Sequence, residues 1–469
     1  MNRRLLLKGG IGLGALAGTS ALAKYAVLAP PRSDELASVD ELAARVFGGL
    51  SAEALAQAFV PYDHPLRQYY NRGLWTGGLR VNAVSLDWES RRALTDLMHA
   101  GLSEIGRTRL PQQDSTAWGG VNFMQLLFCG DPRTGPYQVV LSGVHLNLRL
   151  GGRSAEDVAF GGPQIYGDQR GNGRVGLPGN TYLYQLEGAQ RMFAAMTDAE
   201  RAGARVERAP AQTNIGVQGR DGHFDGVPVG ELAPATRKLA RDVIAGILDT
   251  YAEADAAYAW QCLDRNGGID ALHVADYDVD FEGGRRSGDG PSQIFRFEGP
   301  AAVFHFRGEP HLHAFLNVAM DGERPLSLGD PLGENPAVLE GEDQRGYYET
   351  AMRAQTGADA ALYPSQGVVG RLRAGTVRTG DIWVAESWID ELVIAEVEGA
   401  DLAAPSADAL RRRGVMPQSS SLYRIATTGY LAAEEARRWL GRIGSVRTIG
   451  LLRDALVAHA KVHGFAHDV

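Results

Sequence analysis

Three segments of the chain repeat apolar residues at the three- and four-residue spacing of an amphipathic helix. They are SVDELAARVFGGLSAEALAQAF (38–59), SLDWESRRALTDLMHAGLSEIG (85–106) and ELAPATRKLARDVIAGILDTYAEADAAY (231–258). We expect Ser38 or Asp40 to cap the first segment and Ser85 or Asp87 to cap the second, because such side chains accept hydrogen bonds from the first N–H groups of a helix. The pattern therefore predicts helices in these three regions.

Other segments alternate apolar and polar residues, which is the period of a half-buried β-strand. They are NFMQLLFCG (122–130), YQVVLSGVHLNLRLGG (137–152), ALHVADYDVDF (271–281) and SQIFRFEGPAAVFHFRGEPHLHAFLNVAM (292–320). In the second of these, leucines fall on one face and His145, Asn147 and Arg149 on the other. From about residue 345 the pattern changes to helix and short strands. Together these features predict an α+β fold, with a mixed helix and antiparallel-sheet domain at 40–340 and a smaller α+β domain at 341–469.

Three of the eleven histidines lie close together in HFRGEPHLHAF, residues 305–315. If the flanking runs are strands joined by the loop Gly308-Glu309-Pro310, Arg307 lies opposite His311, and His305 lies opposite His313. These four side chains then share one face, with directly opposed Cβ atoms about 5 Å apart. The other face is predicted to be core and carries Phe304, Phe306, Leu312, Ala314 and Leu316.

This histidine face is a candidate metal site. If His145 joins the same sheet, the predicted ligands are His145, His305, His311 and His313. Neutral imidazole binds zinc, copper, iron or nickel, and three protein ligands leave a position for water or substrate. The same pattern also fits a solvated polar face, or histidines that are hydrogen-bonded to the backbone. A hairpin slip of one residue would move His305 off the face.

Other catalytic signals are weaker. Asp276, Asp278 and Asp280 alternate along one predicted strand, so Asp276 or Asp278 is a candidate base, and a solvated strand edge is the alternative. The sequence has no GxSxG nucleophile elbow, no phosphate-binding loop and no dinucleotide fingerprint.

The first residues, MNRRLLLKGGIGLGALAGTSALA, have the order of a secretory signal: a charged region, an apolar region and small residues. Arg3 and Arg4 indicate the twin-arginine route, and Ala21-Leu22-Ala23 is the expected cleavage site. We therefore expect a signal peptide at 1–23, a linker at 24–39, the twin-arginine export machinery as a partner, and a periplasmic or extracellular mature protein. An N-terminal membrane anchor is the alternative, although the apolar run is short and rich in glycine.

The composition limits the kinds of partner that we expect the protein to bind. The 469 residues carry a formal net charge of -9, with 22% charged residues and no basic block after the leader. This argues against nucleic acid and anionic lipid as partners, and no later stretch is long enough for stable membrane insertion. The partner that remains is a small-molecule substrate or ligand. Cys129 and Cys262 are the two cysteines, and one disulfide between them is an open option in an oxidising compartment.

The segment from about 40 to 335 resembles a bacterial family catalogued as domain of unknown function 3500. The matching runs are YDHPLRQYYNRGLW, YQVVLSGVHLNLRL, DGVPVGELAPATRKLARDVIAGIL, FRFEGPAAVFHFRG and HLHAF. Family members carry two adjacent histidines where this chain has Val144 and His145, and a His-x-His that matches His311 and His313. The resemblance therefore supports three of the four histidines, but it implies no activity.

Residues from about 345 to 469 resemble the C-terminal domain of 5'-nucleotidases. The run GVVGRLRAGTVRTGDIWVAESWIDELVIAEVEGADL follows that domain's motifs, but its phosphate-site arginine aligns with Val369. Its Pro-Phe-x-Asn motif falls on Ser387-Trp388-Ile389-Asp390. The resemblance implies that Trp388 and Asp390 are the ligand-binding candidates, with Trp388 able to stack on a base or ring. The metal-binding domain of those enzymes has no counterpart in this chain.

Two functions follow from these observations. The first is a metal-dependent, hydrolase-like enzyme with one transition-metal ion (zinc, copper or iron) bound by the histidines, and with a degenerate nucleotidase-type C-terminal domain. The second is a non-catalytic periplasmic protein that binds a metal or another ligand. Turnover that is abolished by chelation would favour the first, and tight metal without turnover would favour the second.

Overall fold

A computed structural model describes residues 37–69, 78–83, 86–113, 120–143, 145–151, 157–168, 180–279, 292–308, 311–433 and 435–466. The predicted signal peptide at 1–23, most of the linker at 24–39, and Asp280 lie outside the described residues.

The α-helices of the described residues are α1 (Val39–Gly49), α2 (Ala52–Ala58), α3 (Trp88–Ala100), α4 (Glu104–Arg109), α5 (Leu183–Ala195), α6 (Asp198–Ala204), α7 (Pro234–Leu248), α8 (Glu253–Arg265), α9 (Gly341–Thr356), α10 (Thr379–Ala385), α11 (Ala404–Arg412), α12 (Gly429–Ala433), α13 (Ala436–Trp439) and α14 (Leu452–His463).

The strands are β1 (Phe59–Val60), β2 (Leu79–Arg80), β3 (Gln125–Cys129), β4 (Gln138–Gly143), β5 (Leu146–Leu150), β6 (Gln164–Asp168), β7 (Arg205–Arg208), β8 (Val227–Pro228), β9 (His273–Val279), β10 (Ile294–Gly299), β11 (Ala302–Arg307), β12 (Leu312–Val318), β13 (Pro331–Asn335), β14 (Ala360–Ala361), β15 (Gly375–Arg378), β16 (Glu391–Leu402), β17 (Leu422–Thr428) and β18 (Gly441–Leu451).

The three helical segments predicted from the sequence each form two helices. Ser38 caps α1 in a capping box, and Asp87 caps α3, so one of the two expected caps is confirmed in each case. Ser51 then caps α2, and Ser103 caps α4. Because a capping side chain satisfies the N–H groups of a new first turn, these two serines begin separate helices inside segments whose apolar spacing looks continuous.

One large sheet organises the N-terminal part. Its strands run in the order β1-β3-β4-β5-β6-β12-β11-β10-β9-β7, with β2 beside β3 and β8 beside β9. Most neighbours are antiparallel, whereas β1 and β7 pair in parallel with β3 and β9. Helices and a largely antiparallel sheet confirm the α+β class.

The sheet has two different faces. The first face is apolar and packs against α1, α3, α5, α7 and α8 in one continuous core. All five residues predicted to form the core face of the 302–318 hairpin belong to this core: Phe304, Phe306, Leu312, Ala314 and Leu316. The second face carries buried polar residues, and the segment 209–218 runs across it. The histidine face is therefore buried under this segment, and it is not the solvated surface that was one alternative.

Arg149 fixes another covering segment to the second face. Its guanidinium is 1% exposed and donates to the carbonyl oxygens of Pro163, Arg67 and Tyr69 at 2.6–2.7 Å. Burial, together with the charge of Arg67, lowers the pKa of Arg149 to about 10. The aromatic-rich segment that contains Tyr69 is thus held on the sheet by an arginine from its interior.

The C-terminal part has its own sheet, in the order β14-β17-β16-β18, with α9 and α14 in the core on one side and α11 on the other. Strand β13 pairs with β15, and Leu332 packs in this second core. The segment from Pro331, which precedes the predicted boundary at 341, therefore packs with the C-terminal part.

Both cysteines are buried free thiols, so the disulfide considered above is not formed. Burial raises the pKa of each thiol to about 12. Within the described ranges, no helix combines the length and the apolar character needed to cross a membrane.

Candidate metal site

The hairpin that carries the histidines differs in register from the prediction. Arg307 lies opposite His313, and His305 lies opposite Phe315. The predicted pairing of His305 with His313 is wrong by two positions, because β12 begins only at Leu312 and the loop is longer than three residues. Since side chains alternate with a period of two, a shift of two leaves His305, Arg307 and His313 on the same face.

His145 reaches the site from a turn, although it was predicted within a strand. The predicted strand 137–152 is a hairpin of β4 and β5, in which Gly143 pairs with Leu146 around a two-residue loop. His145 has φ 62°, the left-handed region that histidine adopts more often than most non-glycine residues. Non-glycine residues in this conformation are held there by their surroundings and cluster at functional sites.

The structure brings His145, His311 and His313 together. One nitrogen atom from each ring lies within 4.8 Å of the other two, and His145 Nε2 is 2.9 Å from His311 Nε2. His145 and His313 are 8% and 7% exposed, whereas His311 is half-buried. The cluster is therefore enclosed on two sides and accessible beside His311. Among the described residues, no carboxylate or thiol belongs to it.

The backbone beneath the rings is shaped to leave room for them. Gly167 lies opposite His313 in β6, and a Cβ atom there would be 2.9 Å from His313 Cδ2 and 3.4 Å from His145 Cδ2. The N–H of Gly167 donates to the carbonyl oxygen of His145 at 2.8 Å, and Gln113 Nε2 donates to the same oxygen at 2.6 Å. These bonds hold the strained turn and direct the His145 ring towards the other two.

The tautomer of His313 depends on two neighbours. Its Nδ1 lies 2.9 Å from Gln212 Oε1 and 2.8 Å from Arg307 Nη2. If Nδ1 carries the proton, it donates to Gln212 and the lone pair of Nε2 points away as a metal ligand. If Nδ1 accepts from Arg307, the proton is on Nε2, which then cannot bind a metal. Gln212 therefore favours the tautomer that is competent to bind a metal, whereas Arg307 favours the other one.

The spacing of the nitrogens fits a transition metal after small adjustments. Two imidazole nitrogens that are each about 2.05 Å from a tetrahedral zinc ion lie about 3.3 Å apart. The 2.9 Å between His145 and His311 is somewhat shorter, and the 4.8 Å limit for the group is longer. Rotations of the half-buried His311 ring suffice to close such differences. Three nitrogen donors with outer hydrogen bonds suit zinc, copper or iron.

His305 does not belong to the cluster. It is 2% exposed and lies between strands, opposite Arg296 on one side and Phe315 on the other. Burial, with the charges of Arg296 and Arg307, holds the pKa of His305 well below its usual value. A neutral imidazole among two arginines is a packing residue of the second face, and it is not grouped with the metal-binding nitrogens.

The candidate bases are also far from the cluster. Asp276 accepts a hydrogen bond from Ser292 Oγ at 2.7 Å, and Asp278 forms an ion pair with Arg205 at 2.9 Å. Both lie in β9, which is separated from β12 by β10 and β11. Three strand spacings amount to about 14 Å. The suggestion that Asp276 or Asp278 acts beside the histidines is therefore wrong.

Trp388 and Asp390 lie in the C-terminal part, around a strained residue. Trp388 Nε1 donates to the carbonyl oxygen of Gly367 at 2.7 Å, and Asp390 accepts from the backbone N–H of Tyr430 at 3.2 Å. Ile389 between them has φ 56°. These bonds fix the local backbone.

A buried carboxyl group lies close to this segment. Glu386 has no exposed surface, and Tyr363 Oη donates to its Oε1 at 3.2 Å. Burial, with the nearby charge of Asp390, raises the pKa of Glu386 to about 7.

Three residues that shape the histidine cluster were not predicted: Gln113, Gly167 and Gln212. Gln113 and Gln212 come from segments without regular periodicity, and Gly167 is one of 59 glycines. A lone glutamine in a loop carries no spacing signal, so only the fold could identify these residues.

Comparisons with known proteins add little to this description. No known protein family matches the chain, and no curated protein matches it. Among solved structures, a 5'-nucleotidase precursor from Thermus thermophilus matches with a TM-score of 0.25 and 10% identity, over 40% of this chain and 51% of that chain. A putative 5'-nucleotidase from Staphylococcus aureus, in complex with alpha-ketoglutarate, gives a TM-score of 0.21 and 10% identity, over 39% and 51%. The chain thus spans about half the length of each, and neither similarity identifies an activity.

Proposed function

We propose that this protein binds one divalent transition-metal ion at His145, His311 and His313, and that the ion supports hydrolysis of a small molecule. The observation that carries the proposal is the convergence of the three imidazole nitrogens within 4.8 Å. His145 lies in a strained turn, and His311 and His313 lie just before and within β12, which is distant in sequence. Gly167 supplies the space for them, and Gln212 supplies the outer hydrogen bond.

The chemistry of such a site follows from its ligand set. Three neutral imidazoles leave the ion its full charge and an open coordination position, so it can acidify water and polarise a carbonyl or phosphoryl oxygen. In this chain, Gln212 orients His313, while Gln113 and Gly167 fix the His145 turn. The half-buried His311 leaves one side of the cluster open to a substrate.

The first test is metal content. Protein reconstituted with zinc, copper or iron and then dialysed is expected to retain about one ion per chain, measured by elemental analysis. The double variant His311→Ala, His313→Ala is expected to retain none. His305→Gln is the matched control, because His305 is a buried histidine of the same hairpin outside the cluster, and it is expected to retain the ion. Equal metal content in all three proteins would contradict the assignment.

The second test is turnover. Loaded protein is assayed against carboxylic and phosphate esters, with the chelated protein and the double variant beside it. Hydrolysis that is lost on chelation and restored by the metal supports the enzyme. A stoichiometric ion without hydrolysis of any ester supports the second candidate, a non-catalytic metal-binding protein. That candidate is favoured by the observation that, in the described residues, no carboxylate belongs to the cluster as a base.

We also propose that the mature protein acts outside the cytoplasm. The support is the sequence pattern of residues 1–23, with Arg3 and Arg4. The twin-arginine route carries folded proteins, which suits a metal loaded before export. Replacing both arginines with lysine is expected to leave the protein in the cytoplasmic fraction, and unchanged fractionation would contradict export by this route.

A further inference from the structure

A second candidate site lies on the same sheet face as the histidines, at its opposite end. A cavity of about 240 Å³ opens between the second face and the C-terminal part of the chain. It is lined by Arg296, Glu298 and Asn317 from the sheet, Val217 from the covering segment, and Arg371 and Val384 from the C-terminal part. Asn317 is four residues beyond His313 along β12, or about 13 Å. A small molecule in the cavity therefore does not reach the histidines.

A buried ion pair forms the floor of the cavity. Arg296 is 2% exposed, and its Nε and Nη2 donate to Glu298 at 2.7 and 3.1 Å. Glu298 also accepts from Gln218 Nε2 at 2.7 Å. Arg296 Nη2 further donates to the carbonyl oxygen of Asn214, but Arg296 Nη1 has no hydrogen-bond partner in the described part of the chain. A buried guanidinium N–H group without a partner is costly, so this atom is poised for an acceptor.

Two more residues that line the cavity each have a buried polar atom with this property. Arg371 Nη2 donates to the carbonyl oxygen of Gln218 at 3.0 Å, while its Nε finds no partner among the described residues. Asn317 Nδ2 donates to the carbonyl oxygen of Ile215 at 3.0 Å, while its Oδ1 is buried and likewise unbonded within the described ranges. The cavity therefore offers donors from two arginines and one amide acceptor.

Three of the four carboxylates that line the cavity accept hydrogen bonds from neighbouring groups, and the fourth, Glu340, is exposed and lies 3.9 Å from Arg371. Glu298 accepts from Arg296 and Gln218, and Asp225 accepts from Tyr277 Oη at 2.9 Å. Asp381 accepts from Gln68 Nε2 at 3.2 Å and from the backbone N–H of Arg378 at 2.8 Å. Since these three acids are occupied, while one N–H group each of Arg296 and Arg371 is not, the remaining buried hydrogen-bonding capacity suits an anion and does not suit a cation.

We propose that this cavity binds a small carboxylate that carries a hydroxyl or amino group on the adjacent carbon. The carboxylate accepts from Arg296 Nη1 and Arg371 Nε, and the adjacent group donates to Asn317 Oδ1. A cavity of about 240 Å³ lies just below the range of about 300–1,000 Å³ that is usual for drug-sized ligands, so it suits a smaller molecule. The apolar contacts of Val217 and Val384 suit a short carbon chain.

The test is calorimetric titration of the full chain with defined probes. L-lactate and L-alanine carry the two alternative adjacent groups, acetate carries neither, and lactamide lacks the charge. We expect saturable 1:1 binding of lactate or alanine with a Kd on the order of 1 mM or below, weaker binding of acetate, and none of lactamide. The ratio of the Kd values of lactate and alanine shows whether the cavity prefers a hydroxyl or an amino group on the adjacent carbon.

Two variants separate the proposal from a general effect on folding. Arg371→Gln removes a donor but leaves no buried charge unpaired, because its ion-pair partner Glu340 is 66% exposed. The Arg371→Gln variant is expected to bind lactate at least tenfold more weakly than the wild type. The control Arg220→Gln, which breaks an exposed ion pair with Glu323, is expected to bind lactate as tightly as the wild type. Asn317→Leu is expected to bind lactate no better than acetate.

Three results would overturn the proposal. The first is that no acid binds saturably up to about 20 mM. The second is that lactamide binds as tightly as lactate, and the third is that Arg371→Gln binds lactate as tightly as the wild type. A crystal grown with lactate that contains only an ordered water at Arg296 would agree with the first of these. The metal site is a separate claim, so its own failure leaves these titrations interpretable.

Discussion

The most informative substitution near the metal site is Gln212→Leu, because it changes a residue that contacts no metal. Gln212 is 6% exposed, and its Oε1 lies 2.9 Å from His313 Nδ1. Leucine keeps most of the side-chain volume and removes the acceptor. Arg307 Nη2, at 2.8 Å from the same nitrogen, then remains to select the tautomer that protonates Nε2.

The expected magnitude follows from this competition. Loss of an outer hydrogen bond to a metal-bound histidine weakens metal affinity by about 10- to 100-fold, or about 1.4–2.7 kcal/mol. We expect the upper part of this range. Zinc binding requires a free lone pair on Nε2 of His313, and without Gln212 the remaining neighbour, Arg307, favours the tautomer that has a proton there. Zinc affinity is measured by competition with a chelator of known affinity, and thermal unfolding of the apo-protein checks that the fold is intact.

The matched control is Gln190→Leu. Gln190 Nε2 donates to the carbonyl oxygen of Ser292 at 3.0 Å from α5, on the other face of the sheet. It is expected to leave zinc affinity unchanged. If Gln212→Leu binds zinc as tightly as the wild type, or if both variants lose affinity equally, the tautomer argument is wrong.

The remaining predictions concern stability and reactivity. Gly167→Ala places a Cβ against the backbone carbonyl oxygen of Leu312 and against the His313 ring, so it is expected to cost about 1–3 kcal/mol in urea unfolding and to lower metal content; full metal content would contradict the packing argument. The pKa of Glu386 is about 7 in the folded protein, above its unfolded value, so the folded state binds more protons and loses stability as the pH rises from about 4.5 to 7. Glu386→Gln is therefore expected to gain about 3 kcal/mol over the wild type at pH 8 and little at pH 5, and an equal gain at both would contradict this. Cys129 and Cys262 are expected to resist thiol reagents in the native protein and to give two reactive thiols in denaturant, whereas a count of zero would indicate a disulfide.

The face of the sheet on which each side chain lies was predictable from the sequence, whereas the length of the loop between the two strands was not. The alternation in residues 302–318 assigned each side chain to the correct face even though the register was two positions off. A shift of two preserves the face but changes the neighbours, which is why His305 lies opposite Phe315 instead of His313. Turn geometry sets the register, and it depends on backbone conformations that the composition of the loop does not specify.

The residues that reach the cluster from turns and loops could not be predicted from the sequence. The hydrophobic pattern gave no reason to place a turn at His145, because its neighbours alternate as in a continuous strand. Gln113 and Gln212 reach the cluster from loops whose course is fixed by tertiary packing. Ser51 caps α2, but the apolar spacing of its segment gave no sign that a second helix begins there.

The measurement that tests the central claim most directly is anomalous diffraction at the zinc edge from crystals of the zinc-loaded protein. The account predicts a single strong peak about 2.0–2.1 Å from one nitrogen each of His145, His311 and His313. The Gln212 oxygen should remain on the far side of the His313 ring. No peak at the three rings, or a peak bound elsewhere while they remain hydrogen-bonded to one another, would contradict the assignment of this cluster as a metal site.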